Sequence, residues 1–402
     1  MRLILMAVLL LLPPVLSAGP QLTPREYKAL MQVSELLESA RYQEARQTLL
    51  EAQGKASSDY AKALISHNLG QVEIQRERYP QALKHVKSAY SLKALPEEQQ
   101  TNLLRTLAQL HCMQEAWKAC VKHLSQWMKQ QPDAVKGEDH LLLAQAYSQL
   151  EQWRNTLTPI SRAIATRKVA PQSWYQLKVV AHIRLKQWRS AVKTQKKLVT
   201  HYAANTGHWR QLVSLHLQAG ERRAALHTQR MGYERGLLTS ASDHRLLAQM
   251  MLEAKMPFFA GQVVESGLKT GVLKHNKRNL TLLSHAWMLA KEKKQAVAAL
   301  TSLNKVAPST KTMTQLAHVQ LELQDWQAAH DTLRKTLKRS KDKQQPRLQL
   351  LLGITRIKLQ RYDQARLALR AASADKRLQP EAQGWIRYLD QISPAHVLAD
   401  AR

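Results

Sequence analysis

The residues able to do chemistry in this chain are amides, imidazoles and guanidinium groups, and they recur about once per predicted helix. The 16 His are scattered. His208 and His216 have no third ligand in phase, so hydrogen-bonded or exposed imidazoles account for them better than a metal site. There is no phosphate-binding glycine loop, no Gly-x-Ser-x-Gly elbow and no His-Glu-x-x-His helix. Without a constellation of acid, base and nucleophile, neither an enzyme nor a cofactor is expected. What does recur is one polar position. Gln71, Gln109, Gln145 and Gln249, then His285 and His318, each follow a small or short residue at the same point of a repeat. A row of amides and imidazoles can hydrogen-bond an extended peptide or a partner helix, so these six are read as lining a concave binding face. Arg105 and Arg245 share a second slot on that side, and Trp209 is read into it as well. The plainer account is that any exposed helix position tolerates Gln.

Cys112 and Cys120 are the only cysteines. They fall on opposite sides of an expected helix–helix turn, where a disulfide is possible in an oxidising compartment. Cys120 also occupies a slot that is Ala in most other repeats, so a small packed thiol is the simpler reading.

The elements that must position these residues are repeated helix pairs. The clearest runs from Trp174 to Ala191: one amphipathic helix, a short polar turn, then Trp188 opening a second helix with Ala191 on its inner face. The same aromatic-x-x-small anchor appears as Tyr42/Ala45, Tyr79/Ala82, Trp117/Cys120, Trp153/Thr156, Trp326/Ala329 and Tyr362/Ala365. Copies without an aromatic are read at Glu221/Ala224, Pro257/Ala260 and Lys293/Ala296. Successive anchors are 33 to 38 residues apart, close to the tetratricopeptide period of about 34. Twelve residues earlier, a second set marks close approach inside the first helix: Val33, Gly70, Ala108, Ala144, Val179, Leu212, Ala248, Ser284, Ala317 and Gly353. The fold class expected is all-α: a right-handed superhelical solenoid of about ten tetratricopeptide-like helix–turn–helix repeats. A capping helix from about Pro380 to Leu389 covers the end of the stack. Asn68 is present, but the paired lysines of a carboxylate clamp are not.

Composition agrees with packed helices, since only two Phe occur in 402 residues. The formal charge of +30 attracts anionic partners without choosing among them. The densest basic stretch is Arg334, Lys335, Lys338, Arg339, Lys341, Lys343 and Arg347, continuing to Arg356, Lys358 and Arg361. Several of these complement helix C-termini, an ordinary structural reason for them. At the N-terminus, Arg2 precedes the apolar run Leu3–Leu12, then Pro13-Pro14 and the small residues Ser17-Ala18-Gly19. That pattern is a secretory signal peptide, and the run is too short for a comfortable membrane span. The expected organisation is a signal peptide over 1–18, a solenoid over 19–392 and a loose tail over 393–402, located in the periplasm. An uncleaved anchor is the minor alternative.

The middle of the chain carries a more specific resemblance. Ser173-Trp174-Tyr175-Gln176-Leu177, the Trp209 run and Tyr233-x-x-Gly236-x-Leu238 are followed by Pro257-x-x-Ala260-x-x-Val263 and Gly271-Val-Leu. Asn279, His285-Ala286-Trp287 and Trp385-Ile-Arg-Tyr-Leu389 complete the order. In this it resembles the periplasmic tetratricopeptide proteins associated with TonB-type energy-transduction systems. The departures are the high basic charge and Phe258-Phe259 after Pro257. The resemblance implies a non-enzymatic protein–protein interaction scaffold beside inner-membrane TonB/ExbB/ExbD-like components that drive iron-complex uptake. The alternative is a cell-envelope assembly factor whose basic surface binds peptidoglycan, lipopolysaccharide or anionic lipid. Nucleic acid is not an expected partner.

Overall fold

A computed structural model describes residues 22–341 and 344–393. The expected signal peptide, Lys343 and the tail beyond Ser393 lie outside the described residues. Among those described there are 21 α-helices, one short 3-10 turn and no strand. The stretch read as one solenoid divides into two compact units, the chain passing from the first to the second between Ala203 and Ala204.

The first unit holds five helix pairs: α1 (Pro24–Glu38) with α2 (Tyr42–Gln53), α3 (Asp59–Gln75) with α4 (Tyr79–Leu92), α5 (Glu97–Met113) with α6 (Trp117–Gln130), α7 (Gly137–Gln149) with α8 (Trp153–Ala165), and α9 (Gln172–Arg184) with α10 (Trp188–His201). The second holds five more: α11 (Thr206–Gln218) with α12 (Arg222–Glu234), α13 (Ala241–Glu253) with α14 (Pro257–Lys269), α15 (Lys277–Leu289) with α16 (Lys293–Val306), α17 (Thr310–Glu322) with α18 (Trp326–Arg339), and α19 (Gln345–Lys358) with α20 (Tyr362–Ala372). The capping helix α21 (Gln379–Ile392) packs on α20. Odd-numbered helices up to α19 are the A helices and even-numbered ones the B helices. Within each unit a B helix packs on its own A helix and on the next. Each unit is an all-α stack of tetratricopeptide-like pairs.

Local chemistry explains where the helices begin and turn. Thr23 caps α1 and Glu26 returns a bond to the Thr23 amide, a full capping box ahead of Pro24. Ser240 and Asp243 repeat it at α13. Every A–B turn has one design. Two residues before the B helix sits a residue in the left-handed region, with φ of 55 to 60° at nine non-glycine positions and 76° at Gly220. The next amide then donates to a carbonyl five residues back, as in Arg78 to Glu73 and Gln187 to His182, both 2.8 Å. This is the Schellman pattern that ends a helix and reverses the chain.

The two sets of small residues meet in the core. Ala45, Ala82, Cys120, Thr156, Ala191, Ala260, Ala296, Ala329 and Ala365 are buried, and so are their partners in the A helices. The anchor aromatics Trp117, Trp153, Trp188 and Trp326 are only half-buried, at the first position of each B helix. Repeat six corrects the expected register. Its buried small residue is Ala225, not Ala224, so α12 opens at Arg222 and the facing A-helix slot is Val213 rather than Leu212. The sequence offers Ala224-Ala225 with no aromatic to choose between them.

Candidate functional site

A polar stripe recurs on α5, α13, α15 and α17, and in part on α3 and α7, where Leu64 and Leu141 interrupt it. Counting from the small slot, positions −6, −3 and +1 are spaced i, i+3 and i+7, which places them on one side of a helix. In the first unit Gln71, Gln109 and Gln145 take the +1 position on α3, α5 and α7, and all three are half-buried. In the second unit Gln249, His285 and His318 take it on α13, α15 and α17, and all three are exposed. The expected row is thus two rows of three, one per unit, each in consistent register.

The rows differ in chemistry. In the first unit Gln71 Nε2 lies 2.8 Å from His67 Nε2 on the same helix. Burial pushes the His67 imidazole down to about 4, so it is neutral near pH 7. Charges here are neutralised: Arg105 Nη2 lies 2.8 and 3.0 Å from the two Asp139 oxygens. Its guanidinium also stacks 4.6 Å from the Trp127 ring centroid. Glu138 at −6 is paired with Arg167 at 2.5 Å. Arg105 therefore joins repeat three to repeat four as well as facing the stripe.

The second unit carries cations instead. Arg278, Lys311 and Arg347 occupy −6 on α15, α17 and α19 and are exposed. Of these only Arg347 forms an ion pair among the described residues, with Glu381 at 3.4 Å. Arg245 at −3 on α13 is half-buried, and its Nε makes no hydrogen bond to a described residue. His318 titrates below the usual range because of desolvation and the Arg347 charge, with Glu322 opposing. An imidazole, amide and guanidinium surface of this kind hydrogen-bonds and neutralises a polar, acidic segment.

Trp209 does not belong to the stripe. It is 2% exposed, with the Arg235 guanidinium 5.5 Å from its ring centroid. With the small slot at Val213, position −3 is Arg210, and Trp209 falls one place back among buried residues such as Tyr175 and His244. Arg210 was missed for the same reason. Its Asp243 partner, 33 positions on as Asp139 is 34 from Arg105, was the signal that could have found it. Trp287 is also buried. His208 and His216 are buried, and His216 Nδ1 lies 2.6 Å from Glu221. No group of three or more potential metal ligands occurs among the described residues.

Cys112 and Cys120 are disulfide-bonded, with Cα atoms 5.0 Å apart, which corrects the packed-thiol reading. The tight A–B turn holds the end of α5 against the start of α6, within bridging distance.

No protein-family model matches this chain and no curated protein does. Among solved structures it is similar to a tetratricopeptide repeat protein from Parabacteroides merdae: 12% identity over 66% of this chain and 99% of that one, TM-score 0.38. It is similar also to MamA from Desulfovibrio magneticus RS-1, at 16% identity over 45% of this chain and 98% of that one, TM-score 0.34. At these values neither likeness carries partners or activity over to this chain.

Proposed function

We propose that the chain is a non-enzymatic scaffold that holds partner proteins along the A-helix stripes. The observation that carries this reading is the register. Six side chains able to bond a peptide, three in each unit, recur at one slot of successive helices. An array of that kind reads an extended segment or a partner helix through many weak, evenly spaced contacts. The amide-lined first unit suits a neutral polar segment and the cationic second unit an acidic one.

The finer assignment is export to the periplasm and association with TonB/ExbB/ExbD-like components of iron-complex uptake. It is supported by the leader-like residues 1–18 and by the order of aromatics and glycines from Ser173 to Trp287. A disulfide between the two cysteines suits an oxidising compartment.

Crosslinking the tagged, full-length protein in cells, followed by mass spectrometry, tests both levels. The expected result is recovery of inner-membrane transducer subunits. That recovery is lost when Gln71, Gln109 and Gln145 become Glu, or when Arg278 and Lys311 do. Transducer subunits recovered equally from both variants would remove the stripes from the account. Recovery of cell-wall or lipopolysaccharide material alone would replace the transducer assignment with an envelope-binding role.

A further inference from the structure

Apart from Arg347, the densest basic stretch of the sequence is not used by the A-helix stripes. Part of it closes around a cleft of about 260 Å³ in the second unit, formed by α18, α19 and α20. Its cationic lining is Arg334 and Lys338 from α18 with Arg356 from α19. Its apolar lining includes Leu337, Leu352 and Leu367, and no lining side chain is acidic.

Arg356 shows why the cleft calls for an anion. Its Nη1 donates to the Gln364 carbonyl at 2.9 Å, but its Nε is buried and makes no hydrogen bond to a described residue. Burial lowers its pKa, and the Arg334 and Arg361 charges lower it further. Like charges crowded in this way raise one another's cost, and a bound anion relieves all of them together. Arg334 and Lys338, one helical turn apart and exposed, are free to swing onto the same ligand. Leu367 adds the second half of the site. It is 66% exposed, a large apolar side chain that water covers unless something else does.

The geometry points to a binding site for an anionic amphiphile, its phosphate-type headgroup held by Arg334, Lys338 and Arg356 and its apolar chain leaving across Leu337 and Leu367. A phosphate-type group fits because three cations converge and a doubly charged, many-acceptor anion satisfies more of them than one carboxylate. The volume is below the ~300–1,000 Å³ of pockets that enclose a whole small molecule, so the cleft takes a headgroup and leaves the chain outside. None of these residues belongs to an A-helix stripe position, so this site and the partner-binding faces stand or fall separately.

The full chain is titrated with phosphatidylcholine vesicles, with the same vesicles containing phosphatidic acid, and with inorganic pyrophosphate. Binding to the phosphatidic acid vesicles is expected, and Arg334→Glu with Lys338→Glu weakens it about tenfold or more, a loss of about 1.4 kcal/mol or more. Lys335→Glu with Arg339→Glu makes the same charge change on exposed positions of the same helix outside the cleft, and weakens it less than about threefold. Leu367→Ser loses vesicle affinity and keeps pyrophosphate affinity. Equal losses in the two double variants would mean diffuse charge and overturn the site. Pyrophosphate binding without vesicle binding would make it a free-anion site and overturn the amphiphile. No binding to either anion would overturn both.

Discussion

Arg210 and Asp243 join two successive repeats through paired hydrogen bonds, Nη2 to Oδ2 at 2.9 Å and Nε to Oδ1 at 3.1 Å. Asp243 also accepts from the Ser240 amide at 3.0 Å and the Ser240 hydroxyl at 2.6 Å, so one buried carboxylate both caps α13 and ties it to α11. Asp243→Ala removes the cap and strands its donors, and is expected to cost about 2 kcal/mol. The ion-pair part is small because the Arg210 side chain is half exposed. Burial alone raises the Asp243 carboxyl, but the bonds from Arg210 and Ser240 outweigh it and hold it below the ordinary value. The contribution is therefore complete above the unfolded value of about 3.9 and is lost as pH falls through the lowered folded value. Urea titrations across acid pH should show Asp243→Asn losing less stability below pH ~4 than the parent chain. Parallel acid limbs would rule this out.

That pair also marks how far the sequence could be read. Ten anchors gave the helix pairing, the A–B turns and the C-terminal cap, because an aromatic or Pro followed by a small residue fixes phase wherever both occur. Repeats six and eight have neither an aromatic nor a Pro at the anchor, and of the two only repeat six follows it with two adjacent small residues. Ala224 and Ala225 are equally small, and a slip of one residue turns a helix position by about 100°. That slip moved Trp209 from the core to the surface and hid Arg210. The six residues of the polar row were legible because their repeats keep phase. The cleft at Arg356 was not, since it depends on how three helices pack around charges that look alike in sequence.

The nine non-glycine residues at the left-handed position of the A–B turns are a second test. An L side chain there costs roughly 1–2 kcal/mol. Glycine removes that cost and returns about 0.4–1 kcal/mol to the unfolded chain. Lys186→Gly and Lys291→Gly, both exposed, should each stabilise by about 0.5–1 kcal/mol and add together. Gly220→Ala should destabilise by a similar amount. Urea midpoints decide it, and a loss of stability in both lysine variants would mean that their side chains hold contacts worth more than the strain.

The Cys112–Cys120 bridge closes a short loop, sequence separation 8, so its entropic contribution is about 2–2.5 kcal/mol. Reductant should lower the urea midpoint of the parent chain accordingly. The double variant Cys112→Ala with Cys120→Ala should start at the lowered value and ignore reductant. Ala is the residue other repeats place at the Cys120 slot, so packing loss there is minor. A parent chain indifferent to reductant would show that the bridge adds nothing to stability.

Gly70 and Gly384 are both helical glycines, yet the same substitution should act on them in opposite directions. A Cβ on Gly70 would stand 2.5 Å from Val86 Cγ2, while one on Gly384 meets nothing within 4 Å. Ala gains about 1 kcal/mol over Gly in a helix. At Gly70 that gain is set against overpacking, which costs about 1–3 kcal/mol. Val86 is fully buried and β-branched, so it cannot rotate away cheaply. Gly70→Ala should therefore destabilise by about 1–2 kcal/mol, whereas Gly384→Ala should stabilise by up to ~1 kcal/mol. Adding Val86→Ala to the first variant should recover part of the loss, because the cavity it opens is where the new methyl goes. Independent, additive effects of Gly70→Ala and Val86→Ala would show that α3 and α4 do not meet at this point.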